Sequence, residues 1–442
     1  AVRRFIALSH DRYAQRFEDD FGATIEGIFT DEPSMNFNAR DAAPWTPELP
    51  GEFGWRKGYD LLIVLPALFE DLGPATAHIR CDVYDVVTEL YSENFFGQIY
   101  RWCDRRRIKL MGHPMQEGEL IEHARQQGDW FRIMRYMHWG GVDQLCELTW
   151  PEQGGHLNNL AGPKLAASAA HLLGKSRTDC ECFGLGSQWS IDLRTLKWMG
   201  DWLACMGVNF FIPHAFYYSI QGFRKWECPP GEFYQSPFWP YYRAFADHIG
   251  RLAALLSNGT HVADVAFFYP IRSMWAELSP HATETAKYLQ DHFNMLGEAL
   301  LRAHRDFDFV SEEMLARARV RDGLIFITDD SGVERESFRV LVLPALTTLS
   351  LTALDALERL VAQGARVLAT GTLPTKSAER GVDPELQQRL RALFGDDFAL
   401  SLQMAQSDAV SATIDMEAPW HGAAFQGLPR SITPQAIDAL EA

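Results

Sequence analysis

The 442-residue sequence has no unbroken apolar run of about 18 residues, so no segment reads as a membrane-spanning helix. Basic residues are in deficit. Lys and Arg total 41 against 58 Asp and Glu, a formal charge of −17. That balance argues against a nucleic-acid surface, which needs clustered cations to neutralise phosphates. Cysteine is sparse: the seven residues are scattered and form no CxxC pair, although Cys180 and Cys182 lie close together. A zinc site and a disulfide framework are therefore not expected, and the thiols are read as free. The sequence also has no HExxH, GxGxxG or Walker pattern, no internal repeat and no low-complexity tract. No secretory signal opens it: AVRRFIALSHDRYAQRFEDDFG reads as the middle of a domain, and AIDALEA stops without a closing element. We therefore expect a fragment of a longer protein, with the compartment open between bacterial periplasm and cytoplasm.

What is present is a large apolar fraction, 47%, enough for two or three domains with substantial cores. Aromatic residues are plentiful, with 13 Trp, 13 Tyr and 28 Phe. Core filling accounts for most of them, but flat rings also stack on the C–H faces of sugars. Residues 1–257 alternate strand-like and helix-like segments, as a parallel α/β fold does. Strands are expected at Thr24–Thr30, Ile108–Gly112, Phe131–His138, Arg177–Cys182 and Val208–Pro213. Helices are expected at Tyr59–Leu72, Ile79–Arg106, Lys164–Leu173, Leu193–Met206 and Trp239–Leu256, with a long loop over Asp41–Gly58. Asn258-Gly259 marks a boundary. Beyond it, strands at Val262–Tyr269, Phe338–Pro344 and Ala365–Ala369 and a helix at Leu351–Ala362 make a small doubly wound α/β domain over 258–405. Residues 406–442 read as the start of a β-rich module.

Acids and histidines gather where the first five strands end: Asp31 and Glu32, His113 then Glu117, His138 then Asp143, Asp179 and Glu181, and His214 with Tyr217 and Tyr218. In a parallel barrel all strand C-termini open on one face, and that face carries the active site. Singly, each of these residues could be a helix cap or a buried hydrogen bond; the set points to a site. Glycoside cleavage needs one carboxylic acid and one carboxylate on facing strands, which Glu32 and Glu181 would supply. Asp31 competes with Glu32, because neighbours on a strand point to opposite sides. Arg177, Asp179 and Glu181 share one face of their strand, so Arg177 either pairs with an acid or precedes the strand. Asp31, His113, Glu117, His138, Asp143, His214 and Tyr217 are assigned to substrate binding. Without a close His pair, His113, His138 and His214 are read as hydroxyl-binding rather than zinc ligands. Trp226–Trp239, aromatic and Pro-rich, is read as a loop over the same face: either a sugar platform or an inert packed loop.

These motifs resemble a known family. FTDEP (Phe29–Pro33), GHPMQE (Gly112–Glu117), GVD (Gly141–Asp143), Ala167–Gly184 and Asp201–His214 are similar to segments of the α-L-rhamnosidase group of glycoside hydrolase family 106. They also follow the plan of family 2 and family 42 β-galactosidases. The resemblance covers residues 20–270. It implies the C-terminal part of a (β/α)8 TIM barrel, with the five strands as strands four to eight, followed by a flavodoxin-like α/β domain. It further implies an exo-glycosidase with Glu32 and Glu181 as its carboxylates, tipped toward inversion, and a calcium ion for which no ligand set is assigned. The polar run Lys175–Glu181 departs from the family's apolar strand and leaves the sugar open. The α/β domain is expected to be structural, packing on the barrel or on a neighbouring subunit in a homo-oligomer. Competing readings are a catalytically silent carbohydrate-binding barrel, a β-galactosidase-like enzyme, and an amidotransferase-like hydrolase in the α/β domain. The last is disfavoured because every cysteine precedes residue 229.

Overall fold

The computed structural model describes residues 1–36, 42–145, 158–184, 188–280 and 284–395. The expected β-rich module at 406–442 lies outside them. The described chain divides into two compact units: residues 1–52, 84–261 and 329–335 form the first, and residues 53–83, 262–328 and 336–395 belong to the second. No described helix is long and apolar enough to cross a membrane. The six described cysteines are free thiols, and Cys146 lies outside the described residues.

The first unit is built on parallel strands β1 (Gly27–Asp31), β2 (Lys109–His113), β3 (Gly140–Gln144), β4 (Thr178–Cys182) and β5 (Phe210–Pro213). β1 pairs with β2, and β3 pairs with β4, which pairs with β5, all in parallel. Between β2 and β3 the Leu110 carbonyl accepts from the N–H groups of His138 and Trp139. The strands thus follow one another in chain order, with helices such as Thr76–Tyr91, Asn158–Leu172 and Leu193–Cys205 between them. Side-chain caps start several helices: Asp192 accepts from Thr195 N–H at 2.8 Å, filling one of the orphan donors of a helix N-terminus.

The third strand departs from expectation. Phe131–His138 is not a strand; Trp130–Met134 is a short helix, and β3 begins only at Gly140. Asp129 nucleates that helix by accepting from Arg132 N–H at 3.1 Å. Residues 130–134, Arg132 included, are all buried, so no alternation of buried and exposed positions separates helix from strand. The expected helix Ile79–Arg106 is interrupted by a wider π-turn at Ser92–Gly97. That of Tyr59–Leu72 shrinks to Leu61–Val64 and a 3-10 turn at Leu65–Leu68. The presumed loop before Gly58 contains the helix Leu49–Lys57.

The second unit centres on four parallel strands, β6 (Val265–Phe268), β7 (Phe307–Val310), β11 (Val340–Leu343) and β13 (Arg366–Ala369), in the order β13-β11-β6-β7. A three-stranded sheet of β8 (Arg319–Arg321), β9 (Leu324–Thr328) and β10 (Glu334–Phe338) and a smaller one of β12 (Thr348–Leu349), β14 (Lys376–Ser377) and β15 (Gly381–Val382) complete the strands. Phe267 packs against Phe293, Phe307 and Phe309, with ring centroids 4.9 to 5.3 Å apart. The helix Leu351–Ala362 lies where the apolar spacing predicts it, capped by Ser350. β7 goes unseen in the sequence: it has four residues, and a buried Asp308 interrupts its apolar pattern.

Candidate active site

Two glycines bring the strand ends together. Gly112, at φ +108°, approaches β1 so closely that a Cβ there would fall 2.1 Å from the Thr30 carbonyl oxygen. At Gly141 a Cβ would fall 1.7 Å from Asp179 Oδ1. Asp179 of β4 fills the space beside Gly141. It is fully buried, and its Oδ2 accepts from Gly112 N–H at 2.9 Å. Burial pushes its carboxyl up to about 7, against the pull of that hydrogen bond and of His113.

Above this layer sits His113, the last residue of β2, with no exposed side-chain surface. Its Nδ1 lies 3.0 Å from Glu117 Oε1 and its Nε2 2.9 Å from Glu181 Oε2. Asp31 Oδ1 is 3.8 Å from the same Nε2. Burial alone would lower the imidazole pKa, but the bond and charge of Glu117, the bond of Glu181 and the charge of Asp143 prevail and push it up to about 12. The nearly buried Glu117 also accepts from Asp143 N–H at 2.8 Å.

Around this cation the carboxyl groups separate. Glu32 follows the end of β1 at φ +49°, so strand alternation does not govern it and both it and Asp31 lie near His113. Burial, with the charges of Glu117, Asp31 and Glu181, raises the Glu32 pKa despite His113. Asp143 is pushed up to about 8 by burial and by Glu117, Glu181 and Glu32, and its buried Oδ1 has no hydrogen-bond partner. For Glu181 burial also works against the charged form, yet the His113 bond and charge and the His214 charge bring its pKa below the usual value. His214 Nε2 stands 3.9 Å from Glu181 Oε1.

The residues assigned to substrate binding fall into four groups. Asp31, Asp143 and His214 lie in the cluster with Glu32 and Glu181. Tyr217 borders it, its ring edge-on to His214 at 6.5 Å, with its hydroxyl committed to the Cys228 carbonyl. His113 and Glu117 are also central; both are buried, and the His113 nitrogens lie against carboxylates. His138 does not join them. It precedes β3, its Nδ1 accepts from Leu110 N–H near the start of β2, and its ring stacks on Tyr100 at 4.2 Å. Arg177 precedes β4 and donates to the Asn209 carbonyl, so it pairs with neither acid. Glu232, within the aromatic loop Trp226–Trp239, was missed. It is fully buried, accepts from Tyr242 hydroxyl at 2.7 Å and is pushed up to about 8 by burial. An acid just past the Pro229-Pro230-Gly231 turn of an aromatic loop is the signal that marks it.

Asp31, His113 and Glu181 place ligand-type atoms within 4.8 Å of one another. The trio does not suit calcium, which takes six to eight oxygens; it offers two carboxylates and an imidazole with both nitrogens bonded.

A parallel α/β unit with an acid pair at its strand ends has the plan of the barrel glycosidases, and the solved structures that match are of that class. A family 42 beta-galactosidase from G. stearothermophilus superposes with a TM-score of 0.60 at 14% identity, over 86% of this chain and 56% of that one. The rhamnosidase of Novosphingobium sp. PP1Y gives a TM-score of 0.57 at 20% identity, over 79% of this chain and 32% of that one. The chain belongs to glycoside hydrolase family 106, described as alpha-L-rhamnosidase, which it matches over residues 1–419. It is also 26% identical over 372 residues to a protein of Formosa agariphila provisionally named a beta-glucuronidase, covering 81% of this chain and 28% of that protein. The chain thus spans less than a third of the length of that relative and of the rhamnosidase.

Proposed function

We propose that this protein hydrolyses a terminal glycosidic bond of an oligo- or polysaccharide, with an α-L-rhamnoside as the first substrate to test. Glu32 is the general acid and Glu181 the ionised nucleophile or base. The observation that carries this reading is the divergence of the two carboxyls: on ends of parallel strands in one cluster, Glu32 is raised and Glu181 lowered. Opposite shifts in neighbouring carboxyls are what acid and base roles at one pH require. Asp31, Asp143, His214 and the face of Tyr217 bind the sugar; the free Oδ1 of Asp143 suits a sugar hydroxyl. β1 to β5 would be strands four to eight of a (β/α)8 barrel, in agreement with their chain-order parallel pairing. The second unit would be a flavodoxin-like accessory domain, its strand order in chain sequence being 2-1-3-4.

The test is a panel of aryl rhamnoside, galactoside and glucuronide, with Glu32→Gln and Glu181→Gln made separately. Each variant should lose about 10²–10⁴-fold in kcat on an unactivated substrate. Wild-type turnover in both would sink the assignment, and Asp31, Glu117 and Asp179 would be tested next. Sugar binding without turnover by the unaltered protein would favour a silent barrel. The anomer released, followed by NMR, decides between inversion, which the family resemblance favours, and retention.

A further inference from the structure

We propose that His113, clamped between Glu117 and Glu181, is a positioning residue that fixes both the charge and the orientation of the Glu181 carboxylate. The proposal rests on the assignment of Glu181 as the ionised reacting carboxylate. A neutral imidazole carries one N–H, so it cannot donate to two carboxylates; donation from both nitrogens requires the imidazolium. The two contacts, 3.0 and 2.9 Å, are both of hydrogen-bond length, and the ring is sealed from water. Glu117 is itself anchored by the Asp143 N–H of β3. The relay therefore runs from the backbone of β3 through Glu117 and His113 to a side chain of β4. It orients Glu181 through Oε2 and leaves Oε1 facing His214 Nε2 at 3.9 Å.

The groups that face this relay are mostly acids. Asp31 and Glu32 come from the end of β1, Asp143 from β3, and Asp179 from β4. His214 follows β5, and the Cys228 thiol, raised chiefly by burial, lies near enough to feel Glu181. His123, which bonds the Glu117 carbonyl, is held down to about 4 by burial and supplies no charge at neutral pH. One buried cation among these carboxyls decides which of them ionises. It touches Glu181 directly and Glu32 only through space, so Glu181 gives up its proton first.

The experiment follows the His113 ring nitrogens by NMR in ¹⁵N-histidine-labelled protein, alongside the pH profile of kcat/KM. In the unaltered protein His113 stays doubly protonated through about pH 9. In Glu117→Gln, which keeps the shape and removes the charge, His113 loses a proton at a pH about 1–3 units lower. His113→Gln moves the acidic limb up, as Glu181 loses its cation. A merely structural role lowers activity without moving either limb. A singly protonated His113 at neutral pH in the unaltered protein, an unmoved His113 titration in Glu117→Gln, or an unmoved acidic limb in His113→Gln overturns the proposal. Should His113→Gln fail to fold, the isosteric Glu117→Gln decides alone. Should no glycoside be turned over, the glycosidase reading fails while the NMR titration still judges the clamp.

Discussion

Replacing Asp179 by Asn probes the floor of the site. The carboxyl is fully buried, with one oxygen on Gly112 N–H and the other against Gly141 without a partner. Burial raises its pKa from 3.8 to about 7. The unfolded chain, with the ordinary value, therefore binds fewer protons than the folded one between those limits, and stability falls as pH rises. The contribution is fully present below the unfolded pKa and is lost as pH rises through the folded one. From about pH 4.5 to about pH 8 the loss amounts to about 3 kcal/mol. Asn has nearly the same shape, accepts the Gly112 bond through its amide oxygen and cannot ionise. Urea unfolding of both proteins at the two pH values reads what Asp179 adds to the pH dependence, directly and through its coupling to His113, Glu117 and Glu181. The expected result is that the Asn variant gains about 3 kcal/mol relative to the parent on going to the higher pH. Parallel pH dependence in the two proteins would refute the reasoning and mean that Asp179 stays ionised or is reached by water.

Two further substitutions test the frame around the site. Gly112→Ala should destabilise by about 3 kcal/mol or more, since the residue combines a positive φ with a Cβ position 2.1 Å from the Thr30 oxygen; an unchanged urea midpoint would show that β1 and β2 do not approach as described. His138→Ala should leave kcat/KM unchanged while costing about 1–2 kcal/mol through loss of the Leu110 bond and the stack on Tyr100; a fall in kcat with intact stability would return His138 to the site.

Much of the framework is written locally in the sequence. β1, β2 and β5 are short runs ending in Asp31, His113 and Pro213, and Asn258 immediately follows the last helix of the first unit. Neighbours along the chain supply those signals, so no partner strand is needed to read them. The third strand escaped because Phe131–His138 mixes apolar residues with Arg132, Arg135 and His138 in no period that separates helix from strand, whereas the Asp129 cap, one residue upstream of Trp130, starts a helix there. The chemistry of the site was less legible. Asp31, Glu32, His113 and Glu181 can be named as candidates from their places at strand ends, but nothing local distinguishes the sugar-facing groups from the buried ones. His113 stands in a polar, Pro-containing stretch that reads as exposed, yet it is sealed, because its partner Glu181 arrives from a strand 68 residues away. Glu32 and Glu181 are the same residue type with the same intrinsic acidity. Only the tertiary structure sets them apart, by placing one buried imidazolium against Glu181, since desolvation and charge pairing depend on what surrounds a group in space.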